Sequence, residues 1–403
     1  MNYTEQEVIQ FTEEEDVKFI RLAFCDVFGK LKNISIMESE LKRAFEMGIA
    51  IDASAIVGFG DEAHSDLFLH PDPSTLAVLP WRPEHGRVVR MYCNISYPDG
   101  SPFFADTRRI LAEADKEAKK QGYTFRFGTE IEFYLFKMDE LGNKTAVPYD
   151  NAGYMDMSPD DKGENIRREI CLTLEQMGIY PESSHHEEGP GQNEIDFRYS
   201  SPLEAADNAQ TFRSVVGATA MRNGVAVDFS PKPLEGQSGN GVHINFSVES
   251  ASGKDVMGYA IAGILKHISA MTAFLNPTEA SYKRLGEKKA PAYVSWAEGN
   301  RSQLVRVPAA QGEYRRAELR SPDANSNPYI AFTLLIYAAL DGIKNKVRLP
   351  KQAAVNFFDA PESVLKQYKR LPTSLSEANA AAKESKLIKK ALPSSIVKTY
   401  INR

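Results

Sequence analysis

The chain has 403 residues, of which 42% are hydrophobic and 25% are charged, and its formal net charge is -6 at pH 7. This balance excludes a disordered or fibrous protein, and the interleaving of basic with acidic residues argues against a nucleic-acid partner. The length exceeds the roughly 250 to 300 residues at which one hydrophobic core stops growing, so two domains are expected.

The N-terminal sequence MNYTEQEVIQFTEEEDVKF is acidic and contains neither the basic nor the apolar region of a secretory signal peptide. No later run of about 18 apolar residues predicts a membrane span, so we expect a cytoplasmic protein with no membrane partner. The three cysteines, Cys25, Cys93 and Cys171, are odd in number and far apart. Their spacing favours reduced thiols over disulfides or a zinc site.

The first hundred residues alternate short apolar runs with turn signals, a pattern typical of strands. The runs are KFIRLAFCDV, LAVLPW and GRVVRMYCNISY, and the last is followed by the turn cluster YPDGSP at residues 97–102. We therefore predict a domain boundary near residue 100, which separates a domain of residues 1–100 from one of residues 101–403.

The second predicted domain begins with a helix after Asp106, because apolar residues then recur at helical spacing as far as Gly122. The same signals predict helices at residues 163–178, 203–223 and 327–344. The Lys/Ala/Ser-rich tail from residue 375 predicts an exposed terminal helix.

Between these helices lie predicted strands that carry acids on one face. In GTEIEFYLF the period of two places Glu130 and Glu132 on one face and apolar side chains on the other. In HHEEGPGQNEIDFRY a Gly-Pro-Gly turn brings Glu187 and Glu194 within reach across a hairpin. Alternation is also typical of a strand with one solvated face, so each strand alone leaves both interpretations open.

Two later strands repeat the pattern. In GNGVHINFSV the polar face contains His243 and Ser247, and in YRRAELRSPD Glu318 alternates with Arg316 and Arg320. Clustered carboxylates raise one another's pKa unless cations neutralise them. The coincidence of five glutamates with one histidine predicts a site for two or more Mg²⁺ or Mn²⁺ ions, since zinc prefers Cys and His ligands.

Together these segments resemble the glutamine synthetases, specifically the bacterial type I enzymes. The matching segments, in family order, are IDASAIVGF, DPSTLAVLPW, GTEIEFYLF, SHHEEGPGQNEIDF, FSPKPLEGQSGNGVHINFS, NPTEASYKRL, APAYVSWAEGNRSQLVRVP and RRAELRSPDANSNPYIAF. The resemblance implies an α+β fold with a small β-grasp-like N-terminal domain and a large catalytic domain, in which helices flank a curved antiparallel sheet. It also implies an ATP-dependent ligase that forms γ-glutamyl phosphate from glutamate and ATP and transfers the glutamyl group to an amine.

The resemblance further implies a role for each polar residue. The implied ligands are Glu132, Glu187 and Glu194 for one metal ion, and Glu130, His243 and Glu318 for the other. The residues implied to contact the transferring phosphoryl group and the nucleotide are the catalytic Arg301 and the nucleotide-binding Arg306, Arg316 and Ser247. Those implied to bind glutamate are Arg284, Arg320 and Gly239. Asp52 would complete the active site of a neighbouring subunit in a homo-oligomeric, hexamer-based ring.

The flap that handles the amine departs from the family pattern. After SYKRL the chain reads GEKKAP, one residue shorter than usual, so alignment on the Ala-Pro pair places Lys289 where a catalytic glutamate is expected. A different gap places Glu287 there, and Glu298 is a further candidate. Ser238 also replaces an asparagine that contacts glutamate. We therefore hypothesise that the acceptor is an organic amine, such as one bearing a carboxylate with which Lys289 could pair.

Three alternatives stay open: an ordinary glutamine synthetase that acts on ammonia, a non-catalytic structural or regulatory ring protein, and a ligase that uses another acid. The chain stops at KTYINR, without the helical tail through which the family's two hexameric rings interlock, so we expect altered ring pairing. The shortened segment between Val248 and Tyr259 shows no counterpart of the tyrosine loop that some members adenylylate, so we expect no such regulation.

Overall fold

The computed structural model describes residues 3–60, 63–82, 85–310, 312 and 315–402. The chain divides into two compact units. Unit 1 comprises Met1–Ile110 and Leu172–Tyr180, and unit 2 comprises Leu111–Cys171 and Pro181–Arg403. The boundary expected near residue 100 stays a prediction.

Unit 1 contains, within its described residues, a six-stranded sheet. Its helices and strands are, in chain order, α1 (Glu5–Glu14), β1 (Val17–Cys25), β2 (Leu31–Met37), α2 (Leu41–Met47), β3 (Ile49–Asp52), β4 (Asp66–Pro71), β5 (Ala77–Val78) and β6 (Arg87–Ser96). The strand order is β2-β1-β6-β4-β3, with β5 paired to β6, and β1 and β6 run parallel. The three apolar runs predicted as strands contribute to β1, β5 and β6.

Unit 2 contains the larger sheet and most of the helices. Its elements are β7 (Tyr123–Met138), β8 (Lys144–Pro148), β9 (Pro181–His186), β10 (Gln192–Phe197), α5 (Pro202–Arg222), β11 (Val225–Asp228), β12 (Val242–Ser250), α6 (Met257–Leu275), α7 (Glu279–Arg284), β13 (Trp296–Glu298), β14 (Val305–Val307), β15 (Ala317–Leu319), α8 (Pro328–Lys344), α9 (Glu362–Leu365), α10 (Leu375–Glu384), α11 (Lys386–Ala391) and α12 (Ser394–Ile401). Two further helices, α3 (Thr107–Lys120) and α4 (Glu164–Gln176), span points where the chain passes between the units.

The described strands of unit 2 form one nine-stranded, mainly antiparallel sheet. Its order is β13-β14-β15-β12-β7-β10-β9, and β8 and β11 also pair with β7. The 16-residue β7 is therefore the central strand, and its neighbours β10 and β12 are distant from it in sequence. The expected α+β class is confirmed.

One face of this sheet is covered by helices. Phe127 and Phe133 of β7 are fully buried, and the Phe127 ring stacks on Phe332 of α8 with centroids 4.4 Å apart. The Tyr329 hydroxyl of α8 donates to Asp207 of α5 at 2.7 Å, which joins two of the covering helices. Because side chains alternate along a strand, Glu130 and Glu132, at the even positions between these phenylalanines, lie on the opposite face.

Helices α6 and α8 cross closely because each has a glycine at the crossing. A Cβ on Gly263 would lie 2.1 Å from the Ala338 carbonyl oxygen, and one on Gly342 would lie 2.1 Å from that of Tyr259. Helix α6 is long and apolar enough to cross a bilayer by length and composition, which the sequence analysis did not anticipate. However, 72% of its apolar window is buried within the fold, as in the core helix of a globular protein.

The C-terminal tail differs from the prediction of an exposed terminal helix. It forms three helices, α10 to α12, and their apolar residues Ala378, Ile388 and Ile396 are fully buried. The Tyr400 ring packs on Phe274 of α6 with centroids 4.7 Å apart. Composition alone suggested a solvated segment, whereas packing against α6 gives these small apolar residues a buried face.

Candidate functional site

The register of the central strands brings acids together on the sheet face opposite the helices. On β7, Glu130 and Glu132 share one face. Glu132 lies directly opposite Glu194 of β10, and Glu130 lies directly opposite His243 of β12. Side chains paired in this way have Cβ atoms roughly 5 Å apart, so the predicted ligands on these three strands are direct neighbours.

Strand β15 adds a fourth glutamate. Glu318 is fully buried and lies opposite Asn245 of β12. His243 is central to the group, because its Nδ1 lies 3.2 Å from Glu130 Oε2 and 3.5 Å from Glu318 Oε1, and its Nε2 lies 3.8 Å from Glu132 Oε1. The imidazole therefore contacts three of the five carboxylates.

The predicted hairpin supplies the remaining ligand. Glu187 follows β9 directly, and its backbone N–H donates to the Gln192 carbonyl across the turn at 2.8 Å. His185 of β9 lies opposite Glu194, with its Nε2 3.2 Å from Glu194 Oε1. The structure thus brings together all six residues that were predicted as metal ligands. Five of them line one pocket, and Glu318 lies behind His243.

Burial and mutual repulsion shift the pKa values on this face. Burial and then the Glu132 carboxylate raise the pKa of Glu194 well above its ordinary value, and burial raises the pKa of Glu187. Burial lowers the pKa of His243 to about 3. The imidazole is therefore neutral near pH 7 and offers a lone pair to a cation.

This donor set fits hard divalent cations. The sets of three residues whose ligand atoms all lie within 4.8 Å of one another include Glu130, Glu194 and His243, and His185, Glu187 and Glu194. Glu318 Oε2 is buried and accepts no hydrogen bond from the described residues, although Arg306 Nη1 lies 2.8 Å away. A buried acceptor of this kind is one that a bound cation would satisfy.

The two arginines predicted to bind glutamate are buried in the pocket wall. Arg284 donates from Nη1 to the Ser321 carbonyl at 2.8 Å and from Nη2 to the Arg320 carbonyl at 3.3 Å. Arg320 forms an ion pair with Glu318 through Nη1. Gly239 lies beside them, and a Cβ there would stand 2.3 Å from the Pro231 carbonyl oxygen, so the backbone at this position is closely packed.

The residues predicted to contact the phosphoryl group and nucleotide are more spread out. Arg301 is exposed and lines the pocket. Arg306 and Arg316 lie outside the lining residues, where Arg306 meets Glu318 and Arg316 Nε donates to Asn245 at 3.0 Å. Ser247 lies further along β12, also outside the lining residues.

The candidate acids of the flap are not in the pocket. Glu287 points to Lys232, with 2.7 Å between its Oε2 and the lysine Nζ, and neither Glu287 nor Glu298 is among the lining residues. Lys289 does line the pocket, where its Nζ lies 2.8 Å from Glu188 Oε1. The sequence alone left these placements undecided.

Asp52 belongs to unit 1, where it is the last residue of β3 and is exposed. Its Oδ1 accepts a hydrogen bond from the Ser54 N–H at 2.9 Å. Hydrogen bonds from the Ser54 side chain and backbone lower the pKa of Asp52, so the residue is ionised at neutral pH.

Sequence reasoning missed several residues that line the pocket, among them Tyr154, Glu188 and Gln192. Gln192 Nε2 donates to Glu132 Oε2 at 3.3 Å, and its position two residues before Glu194 on β10 is a signal that the period of two could have found. Tyr154 lies in a segment without helical or strand periodicity, so no such signal exists for it.

A buried polar network supports the hairpin from the other side. His186 contacts Asp150 Oδ1 through Nε2 at 2.9 Å and the Glu187 carbonyl through Nδ1 at 2.6 Å. Asp161 is ion-paired with Arg167, which also donates to Asn193 at 2.6 Å. These contacts hold the backbone next to Glu187 and Glu194. His185 and His186 therefore lie on opposite faces of β9, His185 beside Glu194 and His186 in the buried network.

Comparisons with known proteins agree with this geometry. Residues 16–98 match the family described as glutamine synthetase, beta-Grasp domain, and residues 104–403 match the glutamine synthetase catalytic domain. The chain is 43% identical to the glutamine synthetase of Clostridium saccharobutylicum, with 99% of this chain and 94% of the relative covered, and 42% identical to that of Methanosarcina mazei, with 99% and 92% covered.

A solved structure has the same fold. The GmaS/ADP complex superposes with a TM-score of 0.88 at 24% identity, and the comparison covers 100% of this chain and 94% of that one. The β-grasp-like N-terminal domain expected from the sequence is confirmed by the match of residues 16–98.

Proposed function

This chain belongs to the glutamine synthetase family and is an ATP-dependent ligase, and on that premise we propose that it joins the γ-carboxylate of glutamate to the nitrogen of an amine. In the first step a carboxylate oxygen attacks the γ-phosphorus of ATP, which gives γ-glutamyl phosphate and ADP. In the second step the neutral amine forms the C–N bond while the bond between the acyl carbon and the phosphate oxygen breaks. One amine proton leaves with the phosphate.

The observation that carries this proposal is the pocket face on which five carboxylates and a neutral imidazole lie beside three arginines. The arginines are Arg284, Arg301 and Arg320. Acids alone would repel ATP and glutamate, both of which are anionic, so a pocket that binds them needs cations from the protein and from bound metal ions.

Under this proposal one divalent cation is held by Glu132, Glu187 and Glu194, and a second by Glu130, His243 and Glu318, with Mg²⁺ or Mn²⁺ as the ions. When bound, the ions neutralise the negative charge of these carboxylates and of the ATP phosphates. The neutral state of His243 and the burial of the Glu318 carboxylate beside it support this assignment.

The chain's own cations position the substrates. Arg284 uses two N–H groups on backbone carbonyls, which fixes its planar fork in the pocket wall and leaves other N–H groups for a carboxylate. Arg320 and the backbone at Gly239 complete the glutamate site. Arg301 faces the transferring phosphoryl group, and the nucleotide contacts are assigned to Arg306, Arg316 and Ser247.

The acceptor is ammonia or an organic amine. Lys289 lines the pocket, whereas the carboxylate of Glu287 is paired with Lys232 outside it, and this contrast supports the assignment of Lys289 to the amine side. A lysine here repels ammonium and simple alkylammonium ions alike, which favours an organic amine that also bears a carboxylate. Asp52 is assigned to the amine side of a neighbouring subunit's site.

The test is phosphate release from ATP with glutamate, Mg²⁺ and a panel of amines that includes ammonium. Release that requires both glutamate and an amine is expected. Arg284→Lys keeps the positive charge but loses the bidentate contact with the glutamate carboxylate, so the KM for glutamate should rise about tenfold. Arg315→Lys is the matched control, because Arg315 is exposed and pairs only with the exposed Asp255 among the described residues.

An absence of phosphate release with every amine, together with no binding of Mn²⁺ or nucleotide, would refute the ligase assignment and favour a non-catalytic ring. The assembly is proposed to be a homo-oligomeric, hexamer-based ring in the cytoplasm. Mass photometry of the purified chain tests this assembly, and a monomer as the main species would contradict it.

A further inference from the structure

A carboxylate outside the predicted ligand set is held in the same pocket. Glu188 follows Glu187 in the hairpin turn, and its Oε1 lies 2.8 Å from Lys289 Nζ. Its Oε2 accepts a hydrogen bond from Ser238 Oγ at 3.1 Å. Ser238 is itself held, because the Tyr134 hydroxyl donates to its carbonyl at 2.6 Å. Both oxygens of Glu188 are therefore positioned by the protein.

The Lys289 ammonium lies in a site suited to an organic cation. It is 2.8 Å from Glu188 and 4.6 Å from the centroid of the Tyr154 ring, over which it lies. A carboxylate and an aromatic face together are a typical environment for a protonated amine. Lys289 thus occupies, with its own amine, the part of the pocket where an acceptor amine would be recognised.

The backbone that carries Lys289 is strained. Lys288 and Lys289 have φ angles of 27° and 62°, a left-handed backbone conformation that non-glycine residues rarely adopt in succession. The Lys289–Glu188 pair helps to hold this conformation.

The opposite charges of Glu188 and Lys289 favour an acceptor that carries both charges. A simple ammonium ion on Glu188 would displace the Lys289 ammonium from its ion pair and offer it no new partner, and an anion on Lys289 would do the same to the Glu188 carboxylate. A molecule with both an ammonium and a carboxylate group satisfies both residues at once. Glu188 and Lys289 are each more than a third exposed, at 37% and 39%, so solvent reaches both groups and a small molecule can replace the pair.

We propose that Glu188 and Lys289 together determine acceptor specificity, and that the acceptor is a zwitterionic amine, an amino acid whose ammonium binds Glu188 and whose carboxylate binds Lys289. This inference rests on the proposed ligase function. Here Glu188 is a binding residue for the amine, and Ser238 is a positioning residue that acts through Glu188.

The experiment compares acceptors that differ only in charge. Phosphate release is measured with ATP, glutamate and Mg²⁺ for ω-amino acids of two to four carbons, for alkylamines of matched length, for diamines and for ammonium. The wild-type chain should show the highest kcat/KM with one of the amino acids, roughly tenfold above the alkylamine of the same length, as expected for one charge-assisted contact.

Substitutions separate the two contacts. Lys289→Met should abolish the preference for the amino acid over the alkylamine, and Lys289→Glu should shift the preference to a diamine. Glu188→Gln, which is nearly isosteric, should raise the KM for all amines while the KM for ATP is unchanged. Lys283→Met is the control, because Lys283 is exposed and is not a lining residue, and it should change none of these values.

The results distinguish this inference from the proposed function. A wild-type preference for ammonium or alkylamines over every amino acid would overturn the inference and leave the ligase function intact. An equal effect of Lys289→Met on all acceptors would also overturn it. A failure of every amine to elicit phosphate release, together with no binding of Mn²⁺ or nucleotide, would refute the ligase function itself.

Discussion

Removal of divalent cations should destabilise this protein, and more so at higher pH. The reason lies in the sheet face that holds five glutamates and Asp196, which lies opposite Glu130 across the strand pair. Burial and then the Glu130 carboxylate raise the pKa of Asp196 to about 7, and the pKa of Glu194 is raised as well. In the metal-free chain these groups repel one another whenever they are ionised.

The direction of this pH dependence follows from the linkage between proton binding and folding. A carboxylate with a raised pKa binds its proton more tightly in the folded chain than in the unfolded chain, where the pKa is about 4. The metal-free protein should therefore lose stability as the pH rises from about 4 through about 7. Bound Mg²⁺ or Mn²⁺ should reverse that loss. At a free ion concentration of 100 times Kd, each of the two sites should add about 2.7 kcal/mol to the free energy of unfolding, or about 5 kcal/mol in all.

The assay is thermal unfolding by circular dichroism at fixed protomer concentration, after dialysis against EDTA and then across a titration with Mn²⁺. The upward shift of the midpoint should be larger at pH 8 than at pH 5.5. Glu194→Gln should remove most of the shift, and Glu235→Gln, an exposed acid outside the pocket lining, should retain it. A shift of the same size at both pH values, or one that survives Glu194→Gln, would refute the reasoning.

Four other substitutions test the fold around the site. Glu318→Gln removes the carboxylate that pairs with the buried Arg320 and the half-buried Arg306 and should cost about 3–5 kcal/mol of stability in urea unfolding of the metal-free chain; a loss below about 1 kcal/mol would contradict the assignment. His186→Ala removes a contact to the Glu187 carbonyl and should weaken Mn²⁺ affinity about 10–100-fold, measured by calorimetry, with unchanged affinity as the contrary result. Gly263→Ala places a Cβ 2.1 Å from a carbonyl oxygen and should destabilise the chain by about 1–3 kcal/mol or more in urea unfolding. Gly217→Ala has open space around the new Cβ and should stabilise the chain by about 0.5–1 kcal/mol in the same urea unfolding.

Much of the site could be predicted because its pattern is local. The alternation in GTEIEFYLF places Glu130 and Glu132 on one face whatever lies next to the strand, and the same holds for His243 on β12. Five of the six predicted ligands line one pocket, and the sixth touches the central imidazole. Residues outside such patterns, among them Tyr154, were missed because a loop has no period from which a direction can be deduced.

The sequence by itself determined which residues alternate, which helices form near residues 107–122 and 327–344, and which chemistry the polar faces carry, because all of these depend on residues a few positions apart. Only the tertiary structure decided which strands are neighbours, since β7 meets β10 and β12 across loops whose closure no local pattern encodes. It also decided that Lys289 faces the pocket and that Glu287 faces Lys232. A one-residue gap allowed both placements, and the partners that separate them, Glu188 and Lys232, are about 100 and 55 residues away in sequence.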